Sequence, residues 1–296
     1  NILIYKDWWN QLSPIAKELI SKKSIEFGVK LDCKTTVLVP HDICKNINTL
    51  CVYLSYIDSH DYQNWYPSVA QYMTQEVATL HLSKSDKSLL LRIAEKRLKG
   101  VEKFHEDDVE DLQPLRTRIE SVFRSIQTPV FVRLSSTSGK NESSLRPLYD
   151  AQDVIDRLTS VKLFLPIEYQ REKETFVVLM PWRYDIEKRN EFRVFYCDGK
   201  VTGVSQQYWY ERFNYSQQEL EETERAIISA AFFQPNVAPY NRFVADVWIK
   251  DSKCNLIEMN PFGAHCGTGS ALFHWINDFD LLYGKTNEKP ELKYVE

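Results

Sequence analysis

Residues 243–250 read FVADVWIK and residues 254–263 read CNLIEMNPFG, with Asp251–Ser252–Lys253 between them. Two runs rich in β-branched and aromatic residues on either side of a short polar break have the pattern of a β-hairpin. Alternate side chains of a strand share a face, so Val244, Asp246 and Trp248 point one way and Phe243, Ala245, Val247 and Ile249 the other; Leu256, Glu258 and Asn260 likewise share a face. With Asp251–Ser252–Lys253 as the loop and Lys250 paired with Cys254, Asp246 falls opposite Glu258, and Asn260 lies one step along on the same face. A slip of one residue would turn one strand's polar set to the other side of the sheet, whereas an even slip preserves it.

Opposed carboxylates repel unless a cation or a proton sits between them. Asp246, Glu258 and Asn260 together offer oxygen ligands, which suit Mg²⁺, an ion that combines a few protein carboxylates with nucleotide phosphates. The same spacing also describes a solvated strand face carrying three polar residues. Pro261–Phe262–Gly263 ends the second strand abruptly and holds its last residues near a fixed point, which favours the metal reading.

The 296-residue chain is long enough for one large core or two lobes. Its 43% hydrophobic and 26% charged residues are ordinary for a globular protein. A net charge of −4 argues against a general nucleic-acid coat, which needs a basic surface. The six cysteines form no C-x-x-C pair and have no histidines at zinc spacing, so neither a zinc site nor a disulfide framework is signalled; a reducing, cytoplasmic compartment is expected. No apolar run is long enough to span a bilayer, and the start NILIYKDWW lacks the form of a signal peptide. The chain does not begin with Met, from which a fragment of something longer is expected. None of its nine glycines makes a G-x-x-x-x-G-K-[ST] loop, so any nucleotide needs another cradle.

Upstream, helices are expected at Ser13–Lys22, Ser68–Leu80 and around Ser88–Val101, and a strand at Thr36–Pro40, with Asp7–Trp8–Trp9 seating this part on the body. The acidic run Glu106–Asp111 reads as a solvated turn after a helical insertion. Asp111 is read as the cap of a helix whose Leu115, Ile119, Val122 and Ile126 share a face. Then follow a strand at Pro129–Leu134, a helix capped by Asp150, and a buried strand at Thr175–Trp182. Glu191–Cys197 and Lys200–Gln206 flank the hairpin signal Asp198–Gly199, and Ser216–Glu219 is a capping box that opens a helix stopped by Pro235. This order is α+β with mainly antiparallel strands rather than a βαβ series.

EFRVFYCDGKVTGVSQQYW (Glu191–Trp209), followed by FVADVWIKDSKCNLIEMNPFG (Phe243–Gly263), resembles the core of the cell division cycle protein 123 family. That family's E-F-R-x-F strand, G-x-S-Q hairpin, F-x-x-D and acid-x-N-P-F-G occur here in order, and weaker similarity reaches upstream to Val177–Trp182 and Val130–Lys140. The resemblance implies an ATP-grasp-like fold of two lobes with a nucleotide cleft between them. It divides the chain into an N-terminal mixed region (1–110, with a helical insertion at 51–110), a smaller lobe and hinge (111–182), and a larger lobe with the metal site (183–296).

The resemblance also assigns residues. Arg133 and Lys140, the latter in the hydroxyl-rich loop Ser135–Ser144, become nucleotide contacts. Arg193 becomes a phosphate contact, although by its spacing alone it also reads as half of a surface ion pair. Val178–Trp182 matches the hinge, where backbone groups of Met180 and Trp182 would read adenine; Asp246, Glu258 and Asn260 would hold Mg²⁺ with ATP. The chain departs from the family at Ser135–Ser136 (N-W), Asn141 (Asp), Met180 and Pro181 (basic residues) and Glu258 (usually Asp), which touches the loop, adenine and metal contacts. His265 and Cys266 after the turn lack a base partner fixed by sequence, and Ser270 reads as the cap of a helix Ala271–Asp278.

Two function classes stay open. Placed first is an ATP-dependent assembly chaperone for the gamma subunit of eukaryotic translation initiation factor 2. The alternative is an ATP-grasp enzyme, a ligase, kinase or nucleotidyl or phosphoryl transferase, whose catalytic residues the sequence does not indicate.

Overall fold

The structure is a computed structural model and describes residues 56–73, 77–100, 106–139, 145–160, 169, 173–263, 266, 268–286 and 289–296. The elements expected at Ser13–Lys22 and Thr36–Pro40, the Asp7–Trp9 segment, Lys140, Asn141 and His265 lie outside the described residues. In chain order the elements are α1 (Tyr62–Val69), β1 (Ala78–Leu82), α2 (Lys84–Leu98), α3 (Glu106–Phe123), β2 (Val130–Leu134), α4 (Ala151–Leu158) and β3 (Thr175–Pro181). There follow β4 (Glu191–Cys197), β5 (Lys200–Gln206), α5 (Gln217–Ile228), β6 (Arg242–Lys250), β7 (Lys253–Asn260), α6 (Phe279–Leu282) and β8 (Glu291–Lys293). The described residues fall into two compact units. The first takes in those up to Trp182 apart from 56–73; the second is 56–73 with Arg183–Glu296. The α+β class and the mainly antiparallel sheets are those expected.

In the first unit the sheet order is β1-β3-β2, all antiparallel. Val130, Val132, Leu134, Val177, Leu179 and Leu82 point to one face, where they pack with α2, α3 and α4 through Leu90, Ile93, Leu115, Ile119, Val154 and Leu158. Burying a large aliphatic side chain of this kind contributes about 1.5–3 kcal/mol. Two helices start at side-chain caps: Ser83 accepts from the Asp86 N–H at 3.1 Å and Asp86 accepts from the Ser83 N–H at 2.7 Å, while Asp150 accepts from the Asp153 N–H at 2.8 Å.

Two elements differ from the expectation. Ser68–Leu80 is not one helix: α1 ends at Val69, and Ala78–Leu82 alternates Thr79 and His81 against Ala78, Leu80 and Leu82 to form the edge strand. A period of two was hidden in a stretch read with a period of 3.6. The acidic run is the opening of α3 rather than a solvated turn, so Asp111 is not its cap. Asp108 is 1% exposed and holds Lys96 at 2.7 Å and Arg92 at 3.2 Å, while Glu106 and Asp107 complement the helix dipole. Within 51–110, the described residues 56–73 fall in the second unit and β1 joins the first unit's sheet.

In the second unit the sheet order is β7-β6-β4-β5-β8, antiparallel except for β5 with β8. The Asp198–Gly199 turn has both residues at positive φ, 48° and 93°, as a tight hairpin requires. On one face Tyr196 and Phe243 stack with each other and with Phe233, and α5, opened by the Ser216–Glu219 box, packs against β7. On the opposite face Phe195, Cys197 and Val244 are covered by Phe262 of the P-F-G turn and by Phe273 and Leu282 from the segment after it. That segment closes tightly, since a Cβ at Gly203 would lie 3.0 Å from Phe273 and 3.2 Å from Leu282. The helix expected at Ala271–Asp278 is instead a run of turns before α6. Ala271 has φ +49°, and Ser270 donates to the Phe273 carbonyl at 2.6 Å in place of capping.

Candidate functional site

The β6–β7 hairpin turns on two residues, not three. Asp251 and Ser252 both have positive φ, 50° and 55°, and Lys250 pairs with Lys253. Continued without interruption, that pairing would set Asp246 opposite Ile257 and send Glu258 to the other face. A β-bulge intervenes: Val247 pairs with Leu256 and Asp246 with Glu258, leaving Ile257 as the extra residue. The facing carboxylates expected from the sequence are therefore present, reached by a different register, and Asn260 follows on the same face opposite Val244.

Across the sheet the register aligns one polar row, Ser205 on β5, Arg193 on β4, Asp246 on β6 and Glu258 on β7. All four are substantially withdrawn from water: Ser205, Asp246 and Glu258 are 0%, 3% and 6% exposed, and the Arg193 side chain 14%. Arg193 grips Asp246 with a bidentate fork, Nε to Oδ1 at 2.8 Å and Nη2 to Oδ2 at 2.9 Å, and its Nη1 donates to the Gly269 carbonyl at 2.7 Å. Burial pulls the guanidinium's pKa down, but the Asp246 carboxylate, reinforced by Glu258, outweighs it and holds the pKa above its ordinary value. The formal charges of Arg193, Asp246 and Glu258 leave the row net negative.

Below the row, Glu191 accepts from the Tyr208 hydroxyl at 3.3 Å, and buried Trp248 lies under Arg183, 5.1 Å from its ring centre. Above it, Tyr56 accepts from the Phe262 N–H at 2.9 Å and fixes the P-F-G turn, where Gly263 takes φ +123°. Burial pushes the Tyr56 hydroxyl up to about 12. Neither Tyr56 nor Gly269 was marked by sequence: Tyr56 stands outside any motif, and G-T-G-S read only as a turn. Burial pushes the Cys266 thiol up to about 12, and its Sγ donates to the Phe262 carbonyl at 3.3 Å.

In the first unit, Arg133 and Met180 share the sheet face opposite the helices, since Arg133 pairs with Val178 and Met180 with Phe131. Arg133 is 5% exposed, with Nε 3.2 Å from the Leu134 carbonyl. Met180 pairs with Phe131 on the neighbouring strand, and the Trp182 N–H donates to the Pro129 carbonyl at 2.7 Å.

Two carboxylates and an amide on one face are hard oxygen donors of the kind Mg²⁺ takes. The Asn260 Nδ2 is buried without a hydrogen-bond acceptor, a vacancy that a phosphate or ligand oxygen beside the metal would fill. Among the described residues no group of three or more His, Cys, Asp or Glu side chains is placed to hold a metal, so the donor set here is two carboxylates and one amide. The residues present fit Mg²⁺ carried with an anion.

The class this fold defines is an α+β protein of two units built on mainly antiparallel sheets. The chain resembles the cell division cycle protein 123 family: the D123 family model matches residues 160–296. Cdc123 from Schizosaccharomyces pombe superposes with a TM-score of 0.59 at 17% identity, over 80% of this chain and 96% of that one, and its C-terminally truncated form with 0.58 over the same shares. A Candida albicans protein described as a translation initiation factor eIF2 assembly protein is 26% identical over 219 residues. That match takes in 65% of this chain, which spans 61% of the relative's length. No helix among the described residues is long and apolar enough to cross a membrane.

Proposed function

We propose that this chain binds ATP with Mg²⁺ on the polar row of the second unit and, so loaded, acts in the cytoplasm as an assembly chaperone for initiation factor 2, holding its gamma subunit. The observation that carries the nucleotide part is the bulge at Ile257. An uninterrupted hairpin would separate Asp246 from Glu258, and the bulged one sets the two buried carboxylates opposite each other, where one divalent cation would take oxygens from both. The assembly role rests on the resemblance and on the name borne by the Candida relative.

In this reading Asp246 and Glu258 offer the metal carboxylate oxygens, and Asn260 presents its amide oxygen to the metal and its Nδ2 to a phosphate. Arg193 is the phosphate fork. When bound, Mg²⁺ neutralises the triphosphate and draws it onto the carboxylates. On the resemblance, Arg133, Lys140, Met180 and Trp182 are proposed as further nucleotide contacts.

The test is titration calorimetry with ATP in the presence and absence of Mg²⁺, paired with capture of purified gamma subunit on the immobilised chain. Saturable Mg²⁺-dependent ATP binding is expected. It should be weakened about tenfold or more by Glu258→Gln, and gamma capture should be stronger with MgATP than without. Magnesium-independent binding, or an unchanged Glu258→Gln, overturns the metal assignment; failure to capture the gamma subunit overturns the assembly role.

A further inference from the structure

The same guanidinium that is assigned to phosphate is, in the described structure, locked onto a carboxylate assigned to the metal. Both Asp246 oxygens accept from Arg193, at 2.8 and 2.9 Å, and the remaining Arg193 amino group is held by the Gly269 carbonyl at 2.7 Å. Resting on the nucleotide reading above, we infer that Arg193 is an internal cation that keeps Asp246 closed to a bare metal ion. The metal enters only together with a polyphosphate that draws the guanidinium away, so metal and nucleotide bind as one unit.

Arg193 cannot vacate Asp246 by losing its proton, because a guanidinium stays charged in proteins. It must therefore move, or share the carboxylate with the incoming ion. A lone divalent cation bound to Asp246 and Glu258 would stand beside a buried guanidinium stripped of its fork and left with the Gly269 carbonyl, a like-charge pair away from water. A metal arriving on a triphosphate supplies the oxygens that Arg193 gives up at Asp246, and those oxygens suit the same planar fork. Gly269 sets the position of that fork. A Cβ there would lie 3.1 Å from Nη1, so glycine lets the carbonyl approach and any larger residue presses on the guanidinium. Releasing Arg193 also withdraws an anchor from the segment 268–286 that covers Phe195 and Gly203, so occupancy of the row is communicated to that segment.

The probe is Mn²⁺, followed by electron paramagnetic resonance on nucleotide-free protein, with and without a non-hydrolysable ATP analogue. The unsubstituted chain is expected to take up Mn²⁺ saturably only with the analogue. Arg193→Gln is expected to bind Mn²⁺ alone about tenfold tighter or better than the unsubstituted chain, and to lose that gain when combined with Glu258→Gln. Arg193→Lys keeps the charge but not the fork and guards against misfolding of the Gln variant; a smaller gain in the same direction is expected, as it is for Gly269→Ala. If the unsubstituted chain binds Mn²⁺ alone as tightly as Arg193→Gln, or if the gain survives Glu258→Gln, the inference is wrong. If the unsubstituted chain takes no Mn²⁺ with the analogue either, the nucleotide reading itself fails, whereas the gain of Arg193→Gln for the bare ion remains readable.

Discussion

Substituting Asp246 by Leu should destabilise the second unit by about 3–5 kcal/mol, the cost of leaving a buried guanidinium without its carboxylate. The lower end of that range is expected, because Glu258 also attracts Arg193 and the Gly269 carbonyl keeps one of its hydrogen bonds. Arg193→Met should cost a similar amount, since it leaves the buried Asp246 carboxylate without its guanidinium and facing Glu258. The double variant Arg193→Met/Asp246→Leu should come back to within about 1 kcal/mol of the parent, because an apolar pair of similar volume is often as stable as a buried ion pair. Single costs near 3 kcal/mol with a nearly neutral double imply a coupling energy of about 5 kcal/mol or more, above the usual range for contacting residues. A fully desolvated bidentate pair is the setting in which such a value arises. The measurement is amide hydrogen exchange on β4 and β6, because the chain has two compact units and a single denaturation midpoint would mix them. A loss under about 1 kcal/mol in Asp246→Leu, or a double variant as unstable as the sum of the singles, would refute the picture of a buried, mutually dependent fork.

Ser252→Gly should stabilise the β6–β7 hairpin by about 0.5–1 kcal/mol, because Ser252 stands at φ +55° where only glycine is unstrained; the thermal midpoint checks it. Gly203→Ala should destabilise the second unit by about 1–3 kcal/mol, since its Cβ would meet Phe273 at 3.0 Å and Leu282 at 3.2 Å; a neutral result would show that the 268–286 segment yields easily. Burial acts to raise the carboxyl pKa of Asp86, but hydrogen bonds from the Ser83 hydroxyl and backbone and from Arg118 outweigh it and hold the pKa below 3.8. Its folded-state pKa therefore lies below the unfolded one, so its stabilisation is complete above about pH 4 and fades as pH falls through the folded value. The first unit of Asp86→Asn should accordingly lose less stability than the parent between pH 4 and pH 2 in urea titrations, and parallel curves would count against the cap.

What was legible in the sequence were the elements whose signals are local. Asp198–Gly199, the Ser216–Glu219 box and the Asp150 cap each fix a turn or a helix start through main-chain chemistry confined to a few residues, and each stands where it was expected. The misread elements are those in which a distant partner decides. Ala78–Leu82 becomes a strand because β3 offers it an edge. Asp108 can sit in α3 at 1% exposure because Lys96 and Arg92 on α2 neutralise it, a contact that no window along the chain contains.

The polar row shows how a correct site can follow from an incorrect register. Alternation alone places Asp246 and Glu258 on some face of each strand, and only the sum of turn length and bulges decides whether the faces coincide. A three-residue loop with regular strands and a two-residue loop with one bulge have the same parity. The expected pairing of Asp246 with Glu258 therefore holds, although Lys250 meets Lys253 rather than Cys254. The two solutions differ in what they do to the chain between turn and site. A bulge bends and twists the strand at Ile257, immediately before the carboxylate, and so sets the angle at which Glu258 meets Asp246. Glu258 is also the position where the related family usually carries the shorter aspartate. A side chain longer by one methylene, on a strand bent beside it, can meet the same neighbour only if backbone and reach change together. Deleting Ile257 should therefore keep Glu258 on the polar face but remove the bend. Mg²⁺-dependent ATP binding should then weaken without being abolished, and calorimetry showing it either unchanged or absent would mean that parity alone, or something other than parity, governs the site.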